Sequence, residues 1–241
     1  MFFVLHKRHL AGAAALLAFL GIFSAVLWRG AAVTVFHEDT LQPPLPVVVI
    51  DAGHGGEDGG AVAEDGTVES QLNLAIAQKL REIFFLAGID TVMTRESDIS
   101  IHSEDAATLR EKKVSDIRNR VELINSVENA ILISIHQNSL PNAKSVHGAQ
   151  VFYNATEAGE QLAGAVQSNL NAVINRGENQ KQEKQIDSSI YLMRNITCPG
   201  VLVECGFLSN AAETQLLREN TYQNKLALTI AAGYLQHQFS T

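Results

Sequence analysis

Three short apolar runs each end on a side chain able to bind a metal or move a proton, and this repeat constrains the fold more than any other feature. VVVIDAGHGG sets His54 just past residues 47–50, ILISIHQN sets His136 past 131–135, and VLVECGF delivers Glu204 in the same way. Uninterrupted β-branched runs of this length predict strands buried on both faces. If the three strands share a sheet, the three side chains share one edge of it. That edge is where α/β proteins usually build sites.

The intervals between the runs supply helices. Residues 67–87 predict a helix with Leu72, Ile76, Leu80 and Ile83 on one face, closed by Gly88. A strand at 90–94 follows, then a polar stretch from Glu96 to about Lys113. Next come a helix over 115–126 with Ile117, Val121 and Ile124 inward, and the strand at 130–135. Residues 149–153 predict another strand, 156–173 a helix, 175–188 a mobile loop and 201–204 a strand. A helix starts near Asn210, where Asn210 and Glu213 have capping-box spacing, and the last one covers 221–237. The alternation predicts one α/β domain with a largely parallel sheet and helices on both faces.

Residues 10–28 hold no charged residue, and Lys7 and Arg8 precede them. At about 1.5 Å per residue such a helix nearly matches a hydrocarbon core of roughly 30 Å. Residues 1–29 are therefore expected to be a transmembrane signal anchor, with everything after Arg29 outside the cytoplasm. A cleaved signal peptide is the alternative, with small residues near Ala25 to Ala32 at the cleavage point. Either way the domain works at the outer face of the cytoplasmic membrane. Pro43, Pro44 and Pro46 mark 30–46 as a stiff linker, leaving 47–241 as the folded domain.

Without Lys7, Arg8 and Arg29, the net charge falls from −8 to −11. No nucleic acid is expected as a partner. Two cysteines, Cys198 and Cys205, do not make a disulfide framework and read as idle thiols.

The loop DAGHGGEDGGA is rich in glycine, yet Asp51, Glu57 and Asp58 with no basic residue argue against a phosphate cradle. Its glycines let the backbone turn sharply and keep space open around His54. His54 and His136 at matching strand ends form a candidate metal pair. Glu69 is a candidate third ligand, or else a favourable charge on a helix N-terminus. Two imidazoles and one carboxylate leave tetrahedral zinc an open position for water, as in catalytic sites. Glu204, after VLV, would then be the proton-transferring carboxylate; a salt bridge to Arg95 or Arg120 is its structural alternative. His37, His102 and His147 read as ordinary surface histidines.

The motifs DAGHGGEDGGA, Glu69, MTRESD, DIRNRVELIN, ISIHQN, GAQVFY, IYLMRN and PGVLVECGFLSN, in this order from about residue 47 to the end, resemble the zinc-dependent N-acetylmuramoyl-L-alanine amidases that cut peptidoglycan. With a short N-terminal segment and no wall-binding repeats, the chain is most similar to the germination-specific branch, which acts on the spore cortex. The resemblance implies a twisted sheet of about six strands, one zinc ion held by His54, Glu69 and His136, Glu204 as catalytic acid/base, and peptidoglycan as partner. It leaves open whether an activator protein is needed. Asn138 and Arg95 are candidate contacts to the substrate or to the groups around the metal ligands, or else structural residues. The family commonly has proline at Ala52 and a residue other than cysteine at Cys205. A thiol beside Glu204 would make activity sensitive to oxidation. An extracellular zinc deacetylase or peptidase, or a non-catalytic wall-binding module, is the competing expectation.

Overall fold

A computed structural model of the chain describes residues 45–239, and the statements below concern those residues. The expected anchor, and the expected linker up to residue 44, lie outside them. Among the described residues, no helix is long and apolar enough to cross a membrane.

Six strands, β1 (Val47–Ala52), β2 (Thr91–Met93), β3 (Ala130–Asn138), β4 (Gln150–Tyr153), β5 (Lys184–Gln185) and β6 (Gly200–Phe207), form one sheet in the order β2-β1-β3-β6-β4-β5. The helices are α1 (Glu69–Leu86), α2 (Leu109–Ser126), α3 (Glu157–Val173), α4 (Tyr191–Asn195), α5 (Ala211–Arg218) and α6 (Asn220–Phe239).

Side chains alternate across each strand, and this sorts the core into two layers. Val48, Ile50, Ile131, Ile133, Ile135, Val201 and Val203 pack on one face against Leu72, Ile76 and Leu80 of α1, Leu162 and Val166 of α3, and Leu226 and Ile230 of α6. Val49, Leu132 and Leu202 face the other way, onto Val121 and Ile124 of α2 and Leu192 and Met193 of α4. Helices thus cover both faces. Ile50, Ile133 and Val203 are fully buried, each stabilising the fold by roughly 1.5–3 kcal/mol.

The sheet is mixed rather than simply parallel. β1, β2, β3 and β6 run parallel, whereas β4 is antiparallel to β6 and parallel to β5. The cause is the connection from β3 to β4: residues 139–149 hold no helix, so the chain turns at the strand ends and runs back, where a parallel return needs a longer crossover.

Several boundaries differ from the sequence expectation. α2 starts at Leu109, six residues early, because Thr108 and Glu111 form a full capping box in the stretch read as polar loop. At α5 the box is half made. Asn210 accepts from the Glu213 amide, but the buried Glu213 side chain accepts instead from the amides of Gly148 and Phe207. The segment 175–188 contributes β5, and α4 follows it.

Candidate active site

Strands β1, β3 and β6 lie side by side, so their C-terminal ends converge. The registers pair Ala52 with Ile135, Ile135 with Val203, and His136 with Glu204. His54 follows two residues after β1 with φ 61°, in the left-handed region. For a non-glycine residue that costs on the order of 1–3 kcal/mol and is typical of functional sites. Two glycines keep the space clear. A Cβ on Gly53 would come within 2.2 Å of His136 Cε1, and one on Gly60 within 2.5 Å of Glu69 Oε2.

Glu69 opens α1 and turns its carboxylate inward rather than toward solvent. His54 Nε2 lies 3.3 Å and His136 Nδ1 3.0 Å from the same oxygen, Glu69 Oε1. The two rings meet edge to face at 5.1 Å. His54, Glu69 and His136 can each offer a ligand atom within 4.8 Å of the others, so together they could hold a metal ion. Glu69 is oriented by the Gln137 amide and Asn73 Nδ2 on Oε1, and by the Ala61 amide on Oε2. His54 Nδ1 bonds Asp58 Oδ2 at 2.9 Å.

Burial opposes charge on His54, yet the Asp58 and Glu69 carboxylates carry its pKa up to about 9. Burial likewise opposes charge on Glu69, and its bonds to His136 and His54 hold it well below the usual carboxylate range. This mutual attraction marks a pocket of negative potential that a cation can take over from the protons.

Glu204 behaves in the opposite way. Burial pushes its pKa up to about 7, with His136 opposing and Glu69 adding to the rise. Oε2 is buried without a hydrogen-bond partner among the described residues. Neither arginine pairs with it. Arg120 binds Asp51 and Asp116, and Arg95 binds the carbonyls of Ala52, Gly53, Ser70 and Ser97.

Glu204, His54 and His136 line a cavity of about 310 Å³, walled by Ile117 of α2, Ile190, Leu192 and Leu202, with Asp58 and Lys113 at its side. Arg95 is 2 % exposed and is not among the lining residues. Asn138 is half-buried at the end of β3, and its carbonyl accepts from the Leu208 amide. His147 is exposed, as expected. His102 is half-buried and paired with Ser100.

The expected oxidation sensitivity also finds no support. Cys205 is fully buried on the face opposite Glu204, and burial pushes its thiol far above the ordinary range. Asp58 was read from sequence only as one acid of the glycine-rich loop, and Asn73 and Gln137 were not singled out. Asn73 did leave a signal: an amide one turn after Glu69 on α1, next to the apolar Leu72.

The profile of the N-acetylmuramoyl-L-alanine amidase family matches residues 48–236, a span that contains His54, Glu69, His136 and Glu204. The chain belongs to this family. The amidase is 39 % identical over 192 residues to the germination-specific N-acetylmuramoyl-L-alanine amidase of Bacillus subtilis, covering 79 % of each chain. It is similar to the CwlD amidase of Clostridioides difficile, solved in complex with the GerS lipoprotein, with TM-score 0.77 and 37 % identity over 81 % of this chain and 100 % of that one. A second N-acetylmuramoyl-L-alanine amidase, from Clostridium difficile 630, gives TM-score 0.70 and 29 % identity over 82 % and 98 %. The amidase is therefore a cell-wall hydrolase, which decides against the deacetylase, peptidase and wall-binding expectations.

Proposed function

We propose that this amidase hydrolyses the bond between N-acetylmuramic acid and L-alanine in peptidoglycan with one zinc ion held by His54, Glu69 and His136, and with Glu204 as general acid/base. The observation that carries this reading is a buried, unpaired carboxyl held beside a two-histidine, one-carboxylate cluster. The donor set fits zinc, leaving one tetrahedral position open. When bound, the ion polarises the amide carbonyl and lowers the pKa of water to about 7.

The chain's own residues supply the proton path. Glu204, as carboxylate, accepts a proton from the attacking water and then gives it to the L-alanine nitrogen as the C–N bond breaks. A pKa near 7 suits both tasks at neutral pH. Asp58 accepts from His54 Nδ1–H and so fixes the tautomer that leaves Nε2 free to ligate. The apolar wall of Ile117, Leu192 and Leu202 keeps water from solvating Glu204.

The description of the Bacillus subtilis relative supports a role in spore-cortex modification for germination. A lipoprotein bound to the similar Clostridioides difficile amidase supports a lipoprotein partner here. The apolar run 10–28 supports action at the outer face of the cytoplasmic membrane, facing the cortex, through an anchor or after signal cleavage. Asn138, which like Arg95 is not among the cavity's lining residues, is a candidate contact for substrate that extends past the cavity.

Mass analysis of digested peptidoglycan, paired with the metal content of the full chain, tests the proposal. Stem peptides with free L-alanine termini and one zinc per chain are expected. Released acetate with stems still attached to glycan, or turnover by metal-free protein, would overturn it.

A further inference from the structure

The loop from Ala52 to His54 carries an arrangement that the hydrolytic step does not use. Its three successive carbonyls all accept hydrogen bonds from buried guanidinium groups. Arg120 donates Nη1 to Ala52 O at 2.8 Å and Nη2 to His54 O at 2.7 Å. Arg95 donates Nε to Ala52 O at 2.8 Å and Nη2 to Gly53 O at 3.0 Å.

The two arginines differ in how their charge is met. Arg120 has Asp51 and Asp116 within ion-pair distance. Arg95 has no such carboxylate among the described residues. All four of its hydrogen bonds go to main-chain oxygens, the others being Ser70 O at 2.8 Å, in the first turn of α1, and Ser97 O at 3.0 Å. Asp51, Asp98 and Asp116 favour its charge only from beyond ion-pair distance, and a buried cation held in this way is costly to keep for stability alone. A planar fork, however, can hold several carbonyls in fixed relative positions, which a single ammonium cannot.

The positions that Arg95 holds are those of the candidate ligands. Gly53 precedes His54, Ser70 follows Glu69, and Arg95 joins the two segments. The loop is shaped for it as well. A Cβ on Gly55, φ +139°, would meet Ile99 O at 2.2 Å and Arg95 Cδ at 3.0 Å.

We propose that Arg95 is a positioning residue that sets metal affinity by holding the His54 loop and the start of α1 in the spacing the ion needs. The proposal rests on His54 and Glu69 being ligands. Arg120 fixes the other side of the same loop, but it also neutralises Asp51 and Asp116, so Arg95 isolates the effect.

The test is a zinc dissociation constant, measured by chelator competition on the full-length protein, for wild type, Arg95→Lys, Arg95→Gln and His54→Ala, with thermal unfolding of each metal-free form. Loss of an outer partner of a ligand typically weakens binding 10–100-fold. Both Arg95 variants should fold, with a metal-free Tm lowered by the loss of donors to buried carbonyls, and should also lose zinc affinity by about that factor. A lowered Tm with unchanged affinity would make Arg95 an ordinary structural residue and overturn the proposal. So would failure of both variants to fold, since the clamp would then be a requirement of the fold. If His54→Ala itself leaves affinity unchanged, the ligand assignment fails instead, whatever Arg95 does.

Discussion

His136 and Glu204 are cross-strand neighbours, paired in register on adjacent parallel strands and lining one cavity. The pair joins a proposed ligand to a carboxyl whose Oε2 has no hydrogen-bond partner among the described residues. Replacing Glu204 with Gln keeps the shape and removes the base. Turnover should fall by about 10²–10⁴-fold while zinc content stays at wild-type level, checked by muropeptide release and elemental analysis of the same sample.

Burial raises the Glu204 pKa from 4.5 to about 7, so the metal-free folded protein binds a proton there more tightly than the unfolded chain does. For a raised carboxyl, stability is highest at low pH and is lost as pH rises from about 4.5 through about 7. Metal-free Glu204→Gln should therefore become more stable than metal-free wild type across that window. The gain should reach ~3 kcal/mol above it. Urea unfolding at pH 4.5 and 8 measures the difference, and a constant offset would contradict it.

Asp51 shows the reverse sign. Burial alone would raise it, but Arg120, His136, Ser134 and Thr94 bring it down to about 2. Its contribution is present above about 3.8 and lost as pH falls through about 2. Asp51→Ala leaves Arg120 with Asp116 alone and should cost ~3–5 kcal/mol at neutral pH. Thermal or urea unfolding of metal-free protein reads this directly.

Gly53→Ala tests the cradle around His136. The added methyl would sit 2.2 Å from Cε1 and 2.3 Å from Nε2, and Gly53 lacks the positive φ that would strain an alanine backbone. The ring must move. Zinc affinity should drop at least tenfold, on the order of the loss of an outer partner, with the far-ultraviolet circular dichroism of wild type retained.

Thiol reagents should leave activity intact. Cys205 is fully buried and held protonated by its surroundings. Cys198 is half-buried, with its thiol also pushed up by burial, and it packs at the α2 and α4 layer. Native protein should show at most one slowly reacting thiol, and inactivation in step with its labelling would refute this.

How much of this was legible in the sequence depends on the range of the interactions. His54, His136 and Glu204 could be placed on one edge because strand periodicity is local and parallel strands end together. Glu69 was ambiguous, since a carboxylate at a helix start serves the dipole equally well until the direction of its side chain is known. The role of Arg95 was left open for the same reason: the sequence shows an arginine after a strand, not that its fork turns back onto the carbonyls of another loop. The reversal at β4 and the two-residue β5 depend on pairing partners far along the chain. The early start of α2 is a miss of another kind, since Thr108 and Glu111 are local and their spacing was visible, yet the helix was expected only from 115.

The asymmetry of the two layers bears on how such a catalyst can diversify. Three long helices insulate the hydrophobic side of the sheet, whereas the reactive side is bordered by one long helix and the five-residue α4. Recognition of different glycan or peptide neighbours can therefore be rewritten in the short segment around Ile190, with the strands left untouched.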